Sequence, residues 1–167
     1  MSLVSVLVRY DARRVQYEDL AGDLRLVLAT LRPEEAASGR RHLVQAAFGG
    51  DAGPDLAEVA ERLGLSLEAF VAKHNAAPLR VLSTGFAPGF VYCGLHGEGM
   101  HVPRRATLRP SVPPGTLLFA AGQTAITATT VPTGWHVIGR TAFRNFNPEA
   151  SPPTVLGEGD EVAFEAA

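Results

Sequence analysis

The chain has 167 residues, of which 46% are hydrophobic, so it can bury a core as one domain or as two small ones. Its 15 basic and 17 acidic residues give a formal net charge of −2 at pH 7, which excludes long-range attraction to nucleic acid or to an anionic membrane. The single cysteine, Cys93, excludes an internal disulfide, and the sequence has neither a signal-peptide pattern nor a long apolar run, so we expect a cytoplasmic protein.

The first 48 residues predict a strand, a helix and a second strand. Valines at every second position from 4 to 8 predict a buried strand that ends near Asp11. Apolar residues spaced three and four apart from Tyr17 to Leu31 predict a helix, because that spacing places them on one face. The apolar run at 42–48 is closed by two glycines and predicts the second strand. Together these elements form a short β-α-β segment.

Residues 55–74 predict two short helices joined by a turn at Gly64. Asp55 and Ser66 are each placed to cap the N-terminus of a helix, and glycine suits the turn between them. Such a pair occurs in DNA-binding proteins, but this stretch has four acidic residues and only two basic ones, Arg62 and Lys73. Phosphate contacts need several basic side chains, so we expect no nucleic acid partner.

After His74 the helical spacing disappears, and short apolar runs alternate with glycine and proline. This pattern is typical of a compact barrel or sandwich. We therefore expect an α/β domain at residues 1–75 and a β domain at residues 76–167. The predicted strands of the second domain lie at 80–86, 116–121, 125–129, 135–139 and 161–164.

The segment from Gly85 to Phe90 is the first candidate for a binding site. Its two glycines and one proline force an irregular backbone and hold two aromatic side chains close together. Such a loop can form the wall of a binding site, with Phe86, Pro88, Gly89 and Phe90 as the contacting residues. The alternative is a tight turn that places both phenylalanines in the core.

Three arginines, Arg104, Arg105 and Arg109, lie within six positions and form the second candidate. Their planar guanidinium groups suit the bidentate binding of a carboxylate or phosphate, and Arg140 could add a fourth. The alternative is a set of surface arginines paired with acids elsewhere. Gln123, in a turn between predicted strands, could hydrogen-bond an amide or lactam.

His74 is a candidate acid or base because it ends a predicted helix, although the helix dipole also explains a histidine there without any catalytic role. The sequence has no Walker A motif and no Cys/His cluster at zinc spacing, so we expect neither ATP nor a metal to be bound by this chain alone. Lys73 is the only lysine, which argues against a self-contained lysine-dependent amidase.

Residues 74–141 resemble the 5-oxoprolinase B-subunit family, also known as allophanate hydrolase subunit 1 or as the Kip sporulation-kinase inhibitors. The sequence departs from the family at Thr127, Ala128 and Thr133, which alters a turn and removes an aromatic residue. Cys93 stands where the family has leucine, which argues against a nucleophilic role. The matching segments, in family order, are His74, 85–92, 103–107, 112–115, 122–124, 134–135 and 138–141.

The resemblance implies an α+β protein, with a small N-terminal α/β domain followed by a cyclophilin-like β-barrel. It also implies two partners, a homologous subunit known as allophanate hydrolase subunit 2 and a third, separate subunit. The complex would use ATP to open 5-oxoproline to glutamate, and this chain would be inactive alone. The sequence lacks the family's first strand-helix unit, so we expect residues 4–48 to self-associate or to bind the partner.

Our leading hypothesis is a subunit of an ATP-dependent 5-oxoprolinase, or of a related allophanate or urea amidohydrolase system. In this hypothesis Arg104, Arg105 and Arg109 hold a small carboxylate in a cleft shared with the partner. Gln123 and the 85–90 loop shape that cleft, and His74 is the candidate acid or base. One alternative is a regulatory protein that inhibits a histidine kinase, and another is a prolyl isomerase, suggested only by analogy of fold.

Overall fold

The computed structural model describes residues 6–32 and 39–167, and the chain divides into two compact units, Met1–Ala37 and Ser38–Ala167. None of the helices in the described residues is long and apolar enough to span a membrane. The helices are α1 (Tyr17–Thr30), α2 (Leu56–Arg62) and α3 (Leu67–His74), and the strands are β1 (Arg41–Phe48), β2 (Leu79–Thr84), β3 (Val91–Leu95), β4 (Arg109–Val112), β5 (Thr116–Ala120), β6 (Gln123–Ile126), β7 (Val131–Thr133), β8 (His136–Thr141) and β9 (Glu161–Ala166).

In the first unit, α1 confirms the predicted helix. Glu18 and Asp19 lie in its first turn, where acidic side chains stabilise the helix dipole, and none of its residues is buried. The strand expected at 4–11 is wrong for its described part, because residues 6–11 form no strand. A strand needs a hydrogen-bonding neighbour, and the described part of this unit contains no second strand. Val4 lies outside the described residues.

The second unit is a closed seven-stranded barrel, so the predicted α+β class with a β-barrel is confirmed. The strand order around the barrel is β1-β8-β5-β6-β3-β2-β9, and β1 closes it by pairing in parallel with β9. The other strand pairs of the barrel are antiparallel. Strands β4 and β7 form a separate two-stranded sheet.

The boundary between the units differs from the one expected near residue 76. Strand β1 belongs to the barrel, where it lies between β8 and β9. Its Val44 and Ala46 are each 1% exposed and belong to the barrel core. Alternating residues of a strand bury their apolar face only against neighbours, and for β1 those neighbours come from the far end of the chain. Residues 41–75 therefore complete the barrel and do not form a domain with α1.

Asp160 anchors β1 to β9 through backbone and side-chain hydrogen bonds. Its Oδ1 accepts from the N–H of Arg40 at 2.8 Å, and its Oδ2 accepts from the N–H of Gly157 at 3.0 Å. The ring of His42 lies 3.2 Å from the same carboxylate. The hydrogen bond from Gly157, together with those from Arg40 and His42, lowers the pKa of Asp160 even though burial opposes that shift.

Two apolar clusters form on the two faces of the barrel sheet. The larger cluster fills the interior and includes Leu56, Val59 and Phe70 from α2 and α3. The smaller cluster lies on the opposite face of β5 and β6, where Val112 and Val131 of the two-stranded sheet pack against it. Because side chains alternate along a strand, β5 and β6 contribute to both clusters.

The predicted helix pair is confirmed in position, with one difference in its capping. Ser66 accepts a hydrogen bond from the N–H of Ala69 at 3.1 Å, and Gly64 has a φ of +66° at the turn. Asp55 precedes α2 but makes no capping hydrogen bond. Strands β3, β4 and β7 were not predicted, because Gly94, Pro110 and Pro132 interrupt their apolar pattern.

Removing β1, α2 and α3 should prevent the barrel from folding. A fragment of residues 76–167 would leave β8 and β9 without the strand between them and would expose the core covered by α2 and α3. We expect a fragment of residues 39–167 to unfold cooperatively in urea, and the shorter fragment to show neither cooperative unfolding nor a near-ultraviolet circular dichroism signal from Trp135. If residues 76–167 unfolded cooperatively by themselves, the domain boundary would lie near residue 76, as the sequence predicts.

Candidate functional site

The loop from Gly85 to Phe90 is held in a strained conformation at the end of β2. Its ends are joined by a hydrogen bond from the N–H of Gly85 to the carbonyl of Phe90 at 3.1 Å. Phe86 has a φ of +72°, which is unfavourable for a bulky residue, and its side chain is 67% exposed. Strain of this kind persists where the surrounding structure imposes it, and it is frequent at ligand-binding sites.

Four aromatic side chains continue from this loop across the outer face of the barrel. The ring centroids of Phe86 and Phe90 are 5.3 Å apart, those of Phe90 and Tyr92 4.8 Å, and those of Tyr92 and Trp135 5.8 Å. The guanidinium carbon of Arg104 lies 5.8 Å from the Trp135 ring centroid, within cation-π range. We call these four aromatic residues the aromatic ladder, with Arg104 as the cation at its end.

Strand alternation aligns the ladder. Phe90 and Tyr92 are two positions apart, so they share one face of the chain as it enters β3. Burial raises the pKa of Tyr92, and the positive charge of Arg104 opposes that rise. The tyrosine is therefore neutral at physiological pH and offers a hydroxyl group beside the arginine.

Gln123 lies on the same face as the ladder. In the strand pairings, Tyr92 stands opposite Ala125, and Gln123 is two positions from Ala125 on β6. The Gln123 side chain is 8% exposed, and its Nε2 is buried without a hydrogen-bond partner among the described residues. A buried donor without an acceptor costs about 1–3 kcal/mol, which makes this amide a candidate donor to a ligand.

Exposed apolar side chains border the ladder. Leu95 pairs in register with Gln123 and is 67% exposed, and Leu108 is 71% exposed. The Cδ2 of Leu108 lies 3.4 Å from the position that a Cβ on Gly134 would occupy, next to Trp135. With Phe86 these leucines form the apolar rim. Exposed apolar side chains beside an aromatic surface are typical of interaction sites, so the apolar rim is a candidate for one.

Arg105 and Arg109 do not join Arg104 at the ladder, because both bind Asp55. Arg105 Nη1 and Arg109 Nη2 each donate to Asp55 Oδ1 at 2.7 Å. Asp55 Oδ2 accepts from the backbone N–H of Val137, also at 2.7 Å. This is the paired arrangement that the sequence left open as the alternative for the arginine cluster.

The Asp55 carboxylate is ionised and buried, with 6% of the residue exposed. Burial by itself would raise its pKa, but the hydrogen bonds from Val137 and Arg109 and the charges of both arginines together lower it below the ordinary value. Both guanidinium groups donate to this one acid, while their Nε atoms are buried without a partner among the described residues.

His74 lies inside the barrel, away from the ladder. Its Nε2 is 2.8 Å from Thr124 Oγ1, and the Nε2 of His96 is 2.8 Å from the same hydroxyl. His74 Nδ1 lies 2.6 Å from Asn75 Oδ1. Thr124 and Gln123 are adjacent on β6 and so face opposite sides of the sheet.

The environment of these histidines keeps them neutral. Burial lowers the pKa of His74 to about 4, and burial together with the repulsion between the two rings when both are protonated lowers the pKa of His96 to about 3. The rings of Phe48, Phe70 and Phe164 surround His74. The hydrogen-bonded triad of His74, Thr124 and His96 therefore has a structural role in this geometry.

The remaining predicted residues lie at other places. Pro88 and Gly89 line a cavity of about 330 Å³ below the loop, and Arg140 lines a separate cavity of about 570 Å³. Cys93 is fully buried, and burial raises its pKa to about 12, as expected for an unreactive thiol. The described residues contain no group of three side chains placed to hold a metal ion.

Sequence reasoning missed several members of the site. Tyr92 follows Phe90 at strand spacing, and that spacing was the available signal. Trp135 is buried at 7% exposed, and its place in the ladder depends on strand order. The sequence offered no local signal for Leu95 or Leu108 as parts of the apolar rim, because their neighbours come from other strands.

The chain matches the family model of the carboxyltransferase domain, subdomain C and D, along residues 1–156. It is 35% identical to the B subunit of 5-oxoprolinase from Bacillus subtilis (strain 168) over 148 residues, 89% of this chain and 62% of the relative. It is 41% identical to the B subunit of 5-oxoprolinase from Escherichia coli O157:H7 over 117 residues, 70% and 54% of the two chains. It thus spans less than two thirds of the length of these two relatives.

A third relative, the B subunit of 5-oxoprolinase from Haemophilus influenzae (strain ATCC 51907 / DSM 11121 / KW20 / Rd), is 34% identical over 90% of this chain and 70% of its own length. Among solved structures, a conserved uncharacterized protein from Pyrococcus horikoshii has 36% identity and a TM-score of 0.73, covering 95% of this chain and 72% of its own. The urea carboxylase of Kluyveromyces lactis, with 15% identity and a TM-score of 0.72 over 95% and 17% of the chains, shares the fold.

Asp55→Ala should strongly destabilise the protein, by about 3–5 kcal/mol, because it leaves two partly buried guanidinium groups without their acid. The measurement is the free energy of unfolding from urea titration. Glu58→Ala is the matched control, since it breaks the exposed pair between Arg62 and Glu58 on α2 and should cost less than about 1 kcal/mol. If the two variants lost similar amounts of unfolding free energy, the ion pair of Asp55 with Arg105 and Arg109 would not be a principal stabilising contact.

The buried histidines should make the protein less stable in mild acid. An unfolded histidine titrates near 6.5, whereas the folded pKa values are about 4 for His74 and about 3 for His96. The unfolded state therefore binds more protons below pH 6.5, and the free energy of unfolding should fall by up to about 1.4 kcal/mol per pH unit for each histidine as pH drops from about 6.5 to 4.

Urea unfolding at several pH values between about 7 and 4 measures this slope. The pKa values of Asp55 and Asp160 are lowered in the folded protein, so their contribution to the free energy of unfolding is lost only as pH falls below about 4. This pH range is separate from the range in which the histidines titrate. His74→Gln should reduce the slope between about pH 6.5 and 4. An unchanged slope in that variant would mean that His74 is not the titrating group.

Proposed function

Because this chain belongs to the 5-oxoprolinase B-subunit family, with its carboxyltransferase subdomains C and D, we propose that it is one subunit of an ATP-dependent 5-oxoprolinase or a related amidohydrolase system. Its part is to bind a small carboxylate or lactam at the aromatic ladder. The observation that carries this proposal is the Gln123 amide, unpartnered among the described residues and buried on the face that also holds the ladder and Arg104.

The chemistry of 5-oxoproline fits these groups. The molecule has a small flat ring, a lactam carbonyl and a carboxylate. The ring can lie against the half-buried Tyr92, and the Arg104 guanidinium can pair with the carboxylate. The lactam oxygen is an acceptor for Gln123 Nε2, which has no other partner among the described residues.

Only one end of the ladder is open, because Phe86 is 67% exposed whereas Phe90 and Trp135 are buried, and this open end points to a partner. The described residues place no activated nucleophile or base beside the ladder, since His74 lies on the opposite face of β6 and the Cys93 thiol is buried with a raised pKa. Electrostatic contacts to substrate are also weak until water is excluded. We propose that the apolar rim of Phe86, Leu95 and Leu108 binds the homologous partner, allophanate hydrolase subunit 2, which closes the site.

ATP belongs to the same proposal at the level of the complex. The homologous partner and the third, separate subunit would supply the groups that use ATP and activate the lactam carbonyl. The role of this chain is then orientation and desolvation of the substrate.

A regulatory role is the second candidate, since an apolar rim without adjacent catalytic groups also suits a protein that docks on a histidine kinase. Substrate binding separates the two proposals. A kinase inhibitor needs the rim but has no use for the Gln123 donor or for an anion at Arg104.

Gln123→Leu should separate binding from stability. The substitution removes a buried donor that lacks a partner among the described residues, so the free energy of unfolding should stay unchanged or rise slightly. In contrast, the affinity of the complex with the homologous partner for 5-oxoproline should fall about tenfold or more, because the lactam oxygen loses its donor. Isothermal titration calorimetry and 5-oxoproline-dependent ATP hydrolysis are the two measurements.

Arg104→Gln should weaken 5-oxoproline binding similarly, and Arg62→Gln is the matched control that removes an equal charge from the exposed pair on α2. Loss of 5-oxoproline affinity in both site variants, with the control unchanged, supports the proposal. Unchanged affinity in Gln123→Leu, or equal effects of Arg104→Gln and Arg62→Gln, would contradict it and leave the regulatory role.

A further inference from the structure

We propose that the barrel carries a second anion-binding site, distinct from the aromatic ladder, at the cavity lined by Arg140 and Arg144. This cavity has a volume of about 570 Å³, which is in the range of small-molecule sites. Its ligand class is a small organic anion, with a carboxylate or phosphate group and a short apolar body.

Both arginines project from backbone that is held in place. Arg140 lies near the end of β8, where it is paired with Ala47 on one side and Thr116 on the other. Arg144 directly precedes Asn145, which is 1% exposed. The Asn145 side chain donates to the carbonyl of Gly89 at 2.8 Å and accepts from the N–H of Leu156 at 2.7 Å. The two cations are therefore anchored on rigid elements, as an effective binding site requires.

The charge of this cavity is uncompensated. No hydrogen bond or ion pair within residues 6–32 and 39–167 engages the side chain of Arg140 or Arg144, and none of the residues that line the cavity is acidic. This contrasts with Arg105 and Arg109, whose guanidinium groups share Asp55. Two such guanidinium groups on one cavity attract an oxyanion and can bind it in bidentate geometry.

The rest of the lining is mostly small and apolar. Ala47, Ala52, Pro113 and Pro114 contribute short side chains that donate no hydrogen bonds. This apolar lining can pack against the hydrocarbon part of a ligand, whereas a fully hydrated inorganic ion has no apolar surface to bury there. The combination selects an anion with an apolar body.

The site is separate from the ladder along the barrel strands. Arg140 stands opposite Thr116 at the start of β5, and Gln123 stands opposite Ala120 at its end. The four-residue step along β5 from Thr116 to Ala120 corresponds to about 13 Å. One small ligand cannot reach both Arg140 and Gln123, so the cavity at Arg140 is not part of a site that uses the Gln123 amide.

Titration of the full chain by nuclear magnetic resonance tests the proposal, with the Nε–H signals of the arginines as the readout. The probes are inorganic phosphate, acetate and butyrate. We expect saturable shifts at Arg140 and Arg144 with each probe. Butyrate should bind at least about threefold more tightly than acetate, because its added methylene groups pack on the alanine and proline lining.

Arg140→Gln and Arg144→Gln should each weaken phosphate binding about tenfold. Arg62→Gln should leave it unchanged, and because the Nε–H signals of Arg140 and Arg144 report on this cavity alone, the result is separate from the function of the ladder. Arg140 and Arg144 are both exposed, so we expect both variants to fold. If one variant does not fold, the phosphate affinity of the other variant still tests the proposal. Shifts that grow linearly without saturation, or equal losses in Arg140→Gln and Arg62→Gln, would overturn the second site.

Discussion

The buried pairing of Asp55 with Arg105, Arg109 and the backbone of Val137 is the contact on which the arrangement of the site depends. It joins the start of α2 to β8 and to the segment that enters β4, three parts of the chain that are distant in sequence. Arg104 is the neighbour of one of these arginines, and Trp135 lies two residues before Val137. The ion pair therefore sets the position of both the cation and the last ring of the ladder, so it supports the site without contacting a ligand.

Strand alternation then divides the chemistry of the barrel between its two faces. Thr124 faces inward and bridges two neutral histidines, whereas Gln123 faces the ladder with an amide that has no partner among the described residues. The inward triad is hydrogen-bonded within itself, and the outward donor is not. This difference is the basis of the proposal that the outer face binds a ligand, since buried donors are usually paired.

The described surface also bears on the proposal that this chain acts with partners. Aromatic rings, one arginine and one amide can bind and orient a small carboxylate, but the described part of the chain places no general base or nucleophile beside them. The exposed side chains of Phe86, Leu95 and Leu108 provide an apolar edge of the kind that a second subunit covers. Binding on one chain and activation on another is a division of labour consistent with this geometry.

The sequence by itself determined the features that depend on local spacing: helix α1, the pair α2 and α3, six of the seven barrel strands, the irregular loop around Phe86 and the inert character of Cys93. The tertiary structure alone decided which partners these residues meet. Strand β1 looked like part of an N-terminal domain until β9, more than a hundred residues later, paired with it. Arg104, Arg105, Arg109 and Arg140 looked alike in sequence, yet one stacks on Trp135, two bind Asp55 and one lines another cavity. The reason is that charge and hydrogen-bond partners come from residues distant along the chain, and local sequence carries no record of which distant acid, ring or strand will lie beside them.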